Sequence, residues 1–226
     1  MFFAGRSARI EANPRNATKP EIGFQNLAYV IGCIHATHSF LESTINRFYF
    51  DAGQVSQGIL TDRDITVLAP EVLSRLDGAW KLPDFERTSC LDKYDLALLM
   101  AGNAAFDHGS DPYQSIALII KLRNELVHTK AQWVEVASTG TGKSRHRFET
   151  QFRGRFRENQ LTWPKAVFYP NQLLGFGCAE WCVLRSISFV ESFYTRAGGH
   201  KDWSEFTKLL TKHAKAADRA VARRRK

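Results

Sequence analysis

Cysteine is scarce in this chain: four occur in 226 residues, at Cys33, Cys90, Cys178 and Cys182. Only Cys178 and Cys182 lie close together, and no second pair stands at ligand spacing. A zinc centre is therefore not predicted, and the thiols read as buried and reduced. Long apolar runs are missing too. No stretch is long enough to span a bilayer, and Met1 to Arg6 is too short for a secretory core, so a cytoplasmic protein without membrane attachment is expected. There is no internal repeat at solenoid periods and no low-complexity tract before the tail. His35, His108, His146, His200 and His213 have no partners at ligand or triad spacing, and no paired-carboxylate or Ser-His-Asp arrangement can be built. Metal or cofactor chemistry is not called for.

Acidic side chains are outnumbered, 23 against 31 lysines and arginines, for a formal charge of +8 and a pI near 9.5. Such an excess favours a polyanionic partner. Hydrophobic content of 44% is ordinary for a globular protein, and the length suits one main domain. Residues 1–20, with Gly5, Asn13, Pro14, Asn16 and Pro20, read as a flexible N-terminal arm. From Glu21, the spacing of Leu27, Val30, Ile34, His38, Leu41, Ile45 and Phe48 predicts one long helix stopped at Asp51-Ala52-Gly53. Thr61 to Asp64 has the spacing of a capping box, and Pro70 starts a helix toward Trp80. Ser89 with Asp92 predicts a cap for a helix reaching Gly109. The next helix begins at Ser110-Asp111-Pro112, and so short a connection predicts an antiparallel hairpin of helices.

After His128 the period changes. Between Arg145 and Arg157 arginines recur at odd positions, while Phe148, Phe152 and Phe156 hold even ones. The same phenylalanines also fit a helix stripe, but a helix would scatter the arginines and bury Gly154 in its interior. A strand with a basic face is preferred. With Trp133 to Val136 before it and Ser138 to Ser144 as the turn, it makes a β-hairpin within 132–169, and Ala166 to Tyr169 is a candidate third strand. Lys143, Arg145, Arg147, Arg153, Arg155 and Arg157 are then the candidate phosphate contacts. Ala137 to Ser144 also satisfies a relaxed phosphate-loop pattern. That loop needs a buried strand before it and a helix N-terminus after it, and Arg145-His146-Arg147-Phe148 opens no apolar helix, so a hairpin turn is the preferred reading. A last long helix follows from Leu173 to Gly198-Gly199, then a short helix around Trp203 and a basic tail ending Arg223-Arg224-Arg225-Lys226.

The helix from Pro112 is apolar nearly all round, through Ile116, Ile119, Ile120, Leu122 and Leu126, until Arg123, Asn124 and His128 interrupt its last turns. An arginine followed by a polar residue, with histidine four to six positions on at the end of such a helix, resembles the HEPN superfamily. The resemblance implies a mainly α fold, an antiparallel helical bundle that commonly dimerises through this helix. Here the bundle would span 21–198 with the β-hairpin inserted and a basic C-terminal helix and tail at 199–226. It further implies, in many members, a metal-independent ribonuclease that needs no cofactor, with RNA as substrate, a homodimer as the working form and a regulatory protein such as an antitoxin as a possible partner. On that basis Arg123, Asn124 and His128 are the expected catalytic residues. His38 and Glu42, neighbours on the long helix, are possible supporting ones. Other members of the family are catalytically silent, so a non-catalytic RNA-binding or protein-interaction module is the alternative expectation.

Overall fold

A computed structural model describes residues 2–60, 65, 67–128, 147–163, 166–199, 201, 203–205 and 208. The protein is mainly helical, and among the described residues there is no strand. Its α-helices are α1 (Phe2–Glu11), α2 (Pro20–Ser56), α3 (Pro70–Trp80), α4 (Cys90–Met100), α5 (Tyr113–Val127), α6 (Arg147–Phe152) and α7 (Phe176–Ala197). The chain divides into two compact units. The first comprises Met1–Ala36, Leu118–Leu184 and Glu205–Lys226, the second Thr37–Ala117 and Arg185–Ser204, so α2, α5 and α7 each contribute residues to both.

In the first unit, residues expected as a loose arm form α1, which buries Ala4, Ser7, Ala8 and Glu11 on one face. Gly5 is accommodated within α1, and the other breakers of that stretch lie at 13–20, where Asn13 accepts from Arg15 N and caps a tight turn, Pro14–Thr18. Glu11 is the joint of the unit. Its carboxylate accepts from Asn26 Nδ2 (3.0 Å), Phe176 N (2.6 Å) and Gln160 N (3.3 Å), and Ser7 Oγ completes the chain by donating to Asn26 Oδ1 (2.7 Å). Burial pushes the Glu11 carboxyl above the ordinary glutamate range, against the pull of these bonds and of Arg157. The segment bearing Arg157 and Asn159 lies so close to the start of α7 that a Cβ on Gly177 would meet Arg157 O at 2.1 Å.

The expected strand from Arg145 to Arg157 is not found: residues 147–152 are α6. Spacings of four satisfy periods 2 and 3.6 alike, and burial decides between them. Phe148 and Phe152 are both fully inside and meet edge to face at 5.4 Å, and Phe152 meets Trp181 at 5.8 Å. Gly154, with φ of +82°, ends the turn after α6 rather than sitting within a helix. The expected third strand is likewise replaced, by a helical turn at Phe168–Gln172. The first hairpin strand and its turn, residues 133–144, lie outside the described residues, as do the capping box at 61–64 and nearly all of the C-terminal tail.

In the second unit, Phe48, Tyr49, Tyr94, Phe189, Phe193 and Tyr194 form an aromatic core with ring centroids as close as 4.8 Å. Two of its phenols are satisfied by backbone: Tyr94 donates to Leu41 O and Tyr49 to Lys93 O, each at 2.9 Å. Lys93 is wholly buried, and its three N–H groups go to Glu42 Oε1 (2.6 Å), Asn46 Oδ1 (3.0 Å) and Glu86 O (3.1 Å). Helix α2 runs through the expected stop to Ser56. At Gly53 the helix passes close to the Asp77 carboxylate, where a Cβ would stand 2.5 Å from Asp77 Oδ1. Helix α3 starts at Pro70 and Ser89 Oγ caps α4 by accepting from Asp92 N (3.2 Å), as the sequence predicts. Helix α4 ends earlier than expected, at Met100 before Gly102 (φ +78°), so the connection to α5 is long rather than tight. Asp95 holds that connection, accepting from Phe106 N (2.9 Å) and pairing with His108 Nε2 (2.7 Å), while the His108 ring stacks on Tyr113 at 4.0 Å.

Candidate functional site

Helix α5 is anchored by Ile116, Ile119 and Leu122, which have no exposed surface. Its last turns lie in the first unit and carry the polar exceptions to that apolar pattern. Asn124 and His128 are exposed, Arg123 is half-buried and Glu125 is buried. His128 follows the helix directly, its backbone N–H donating to Asn124 O at 2.9 Å, so it continues the terminal turn. Arg123 Nη1 donates to Asn124 Oδ1 at 3.1 Å. Arg123 Nε is buried and has no hydrogen-bond partner among the described residues. A cationic donor left in that condition costs on the order of 1–3 kcal/mol or more, a cost that an anion or another chain would relieve.

Three further groups, none of them singled out by the motif, stand beside this turn. Glu125 forms an ion pair with Arg147 of α6, whose guanidinium also lies 5.2 Å from the centre of the Phe148 ring. Tyr169 packs on the other edge of Phe148 at 5.3 Å. Burial and the Glu125 carboxylate push the Tyr169 phenol above its ordinary value, and Arg147 partly offsets them. Arg147 remains more than half exposed, so a guanidinium fixed by a carboxylate and a ring faces solvent next to the helix end.

The other predicted phosphate contacts divide differently. Arg153 is engaged within the protein, pairing with Glu149 (3.1 Å) and Glu158 (3.0 Å) and lying over the Phe168 ring at 4.7 Å. Arg157 lies over the Phe176 ring at 5.7 Å, and Arg155 Nε donates to Gln151 O at 2.6 Å while its side chain stays at the surface. Lys143 and Arg145 lie outside the described residues. Of the possible supporting residues, Glu42 belongs to the second unit and neutralises the buried Lys93, and His38 is half-buried there.

All four cysteines are buried free thiols. Cys33 Sγ lies 3.8 Å from Ala179 O, and mutual contact with Cys178 together with burial holds Cys182 far above the ordinary thiol range, which suits an inert core role. Among the described residues no group of three or more histidine, cysteine or carboxylate side chains is placed to hold a metal ion, and no helix is long and apolar enough to cross a membrane. No family model, no curated protein and no solved structure matches this chain.

Proposed function

We propose that the protein is a metal-independent endoribonuclease of HEPN type, working as a homodimer in which two copies of the α5 terminus line one cleft. The observation that carries the reading is the arginine of that turn: Arg123 has one nitrogen on Asn124 and a buried Nε without a partner among the described residues, five positions before an exposed histidine. His128 takes the proton of a ribose 2′-hydroxyl, and the oxygen so formed attacks the adjacent phosphorus. The bond to the 5′-oxygen breaks, that oxygen is protonated from water or the second histidine, and a 2′,3′-cyclic phosphate remains. Arg123 holds the scissile phosphate while charge builds on its oxygens, Asn124 orients the guanidinium, and Arg147 contributes positive charge at the rim. Val127, apolar and 45% exposed on the same turn, supports a second copy covering this end of α5.

Incubation of the purified protein with labelled RNA in chelator tests the proposal. The expected products end in 2′,3′-cyclic phosphate, DNA survives because it lacks the nucleophile, and light scattering gives a dimer. His128→Ala and Arg123→Ala each lower the rate by about a hundredfold or more with helical circular dichroism retained. Intact RNA with wild-type dimer, or cleavage by His128→Ala at the wild-type rate, refutes the reading. Binding without cleavage is the result that a silent RNA-binding module of the same fold would give.

A further inference from the structure

Apart from the α5 terminus, the first unit carries two surface clefts whose linings are linked where Gln160 N, between Asn159 and Leu161 of one, donates to Glu11, the neighbour of Ala12 of the other, at 3.3 Å. One, of about 590 Å³, is lined by Arg9, Ala12, Asn13, Pro14 and Arg15. The other, of about 250 Å³, lies between the first turns of α2, with Phe24 and Leu27, and the segment bearing Leu161, Pro170 and Leu174. Their characters are opposite. Arg9 and Arg15 are exposed and have no ion pair among the described residues, whereas the second cleft is walled mainly by apolar atoms. Two aromatic side chains stand out into solvent here: Phe24 of the cleft wall is 73% exposed, and Trp163, which follows Thr162 of the lining, is 71% exposed.

The side chains of Asn159 and Thr162 in the apolar cleft are already used. Asn159 Nδ2 donates to Asn171 O and Leu174 O, both at 3.1 Å, its Oδ1 accepts from Leu161 N at 2.9 Å, and Thr162 Oγ1 donates to Asn159 O at 2.9 Å. Beside the cleft the backbone at Gly175 packs closely on Asn159, where a Cβ would stand 2.6 Å from Asn159 Cα. A ligand therefore finds apolar surface and the exposed Phe24 in one cleft, the exposed Trp163 next in the chain to its lining, and exposed positive charge in the other cleft. It needs alternating anionic and planar apolar groups, the chemistry of an unpaired polynucleotide strand. A base pair keeps its faces inside the stack and cannot offer them to Phe24 or Trp163.

We infer that these two clefts form a binding track for single-stranded RNA, with phosphates on Arg9 and Arg15 and bases against Phe24 and Trp163. The choice of RNA rests on the ribonuclease reading, but the track is separable from it, because none of its residues belongs to the α5 terminus. Stacking without a fixed hydrogen-bonding pattern makes the track tolerant of base identity, and the clefts select strandedness rather than sequence.

Labelled 2′-O-methyl oligouridylate, which has no free 2′-hydroxyl to be cut, separates binding from cleavage when titrated onto the full chain by fluorescence anisotropy. The single strand is expected to bind more tightly than a duplex of the same length, and to quench tryptophan emission in wild type but not in Trp163→Phe. Phe24→Ala and Trp163→Ala each weaken single-strand binding by about tenfold, and Trp163→Phe restores most of it. Arg9→Gln with Arg15→Gln lowers the slope of log affinity against log salt by about 1.4. Equal affinity of these variants and wild type overturns the inference, as does tighter duplex binding. Binding of phosphatidylserine vesicles that Phe24→Ala abolishes while the oligonucleotide stays unaffected would assign the surface to a membrane instead. A protein that binds the strand as described but cuts no RNA refutes the ribonuclease reading alone.

Discussion

The two units of this protein differ in sign. The first holds 22 basic and 9 acidic residues, a net +13, and the second 9 basic and 14 acidic, a net −5. The overall +8 is thus the remainder of two opposed charges, and a polyanion has reason to meet one unit and avoid the other. The interiors follow a different rule from the surface totals. The basic unit buries a carboxylate, Glu11, among backbone and amide donors, and the acidic unit buries an ammonium, Lys93, among oxygen acceptors. The acidic unit also buries Asp51 and Asp95, carboxylates of its majority sign, so composition alone does not tell which charges reach the surface.

The strongest way to break this comparison is to remove the buried charges. Lys93→Ala leaves the Glu42 carboxylate and Asn46 Oδ1 without their donor, and a loss of about 3 kcal/mol in denaturant unfolding is expected. Glu11→Ala leaves the N–H groups of Phe176 and Gln160 unsatisfied and should cost about 2 kcal/mol by the same measurement.

Acid titration sharpens the contrast. Because the folded carboxyl of Glu11 lies above its unfolded value, the native state holds the extra proton between those two values. Its contribution to stability is then greatest at low pH, declines as pH rises from the ordinary glutamate range, and levels off above the folded value. Subtracting the unfolding free energy of Glu11→Gln from that of wild type across pH 4 to 7 should reveal this decline, and a difference that grows with pH would be the wrong sign. The smallest expected effect is the control: Lys81→Gln with Arg87→Gln, exposed cations of the acidic unit, should leave RNA affinity and its salt slope unchanged. A change as large as that from Arg9 and Arg15 would remove the distinction between the units.

Local chemistry within a few residues determined much of the helical framework. Pro70, the Ser89 cap and Gly198 after α7 mark ends that the sequence alone makes legible, because a fixed φ, a side-chain acceptor or a positive φ acts on its own turn. The apolar pattern of α5 and the outcropping of Arg123, Asn124 and His128 were legible for the same reason, since helical spacing needs no distant partner. Tertiary structure decided the rest. Phe148, Phe152 and Phe156 obey two periods at once, and only the burial of Phe148 and Phe152 selects the helix, which stops before Phe156. Glu11 takes partners 149 and 165 residues away, and Arg147 finds Glu125 at a separation of 22, so neither local propensity nor charge spacing could reveal which ions are held inside and which face solvent. Burial of a charge is settled by the acceptors and donors that the fold brings around it, and those come from chain too distant for any local rule to reach.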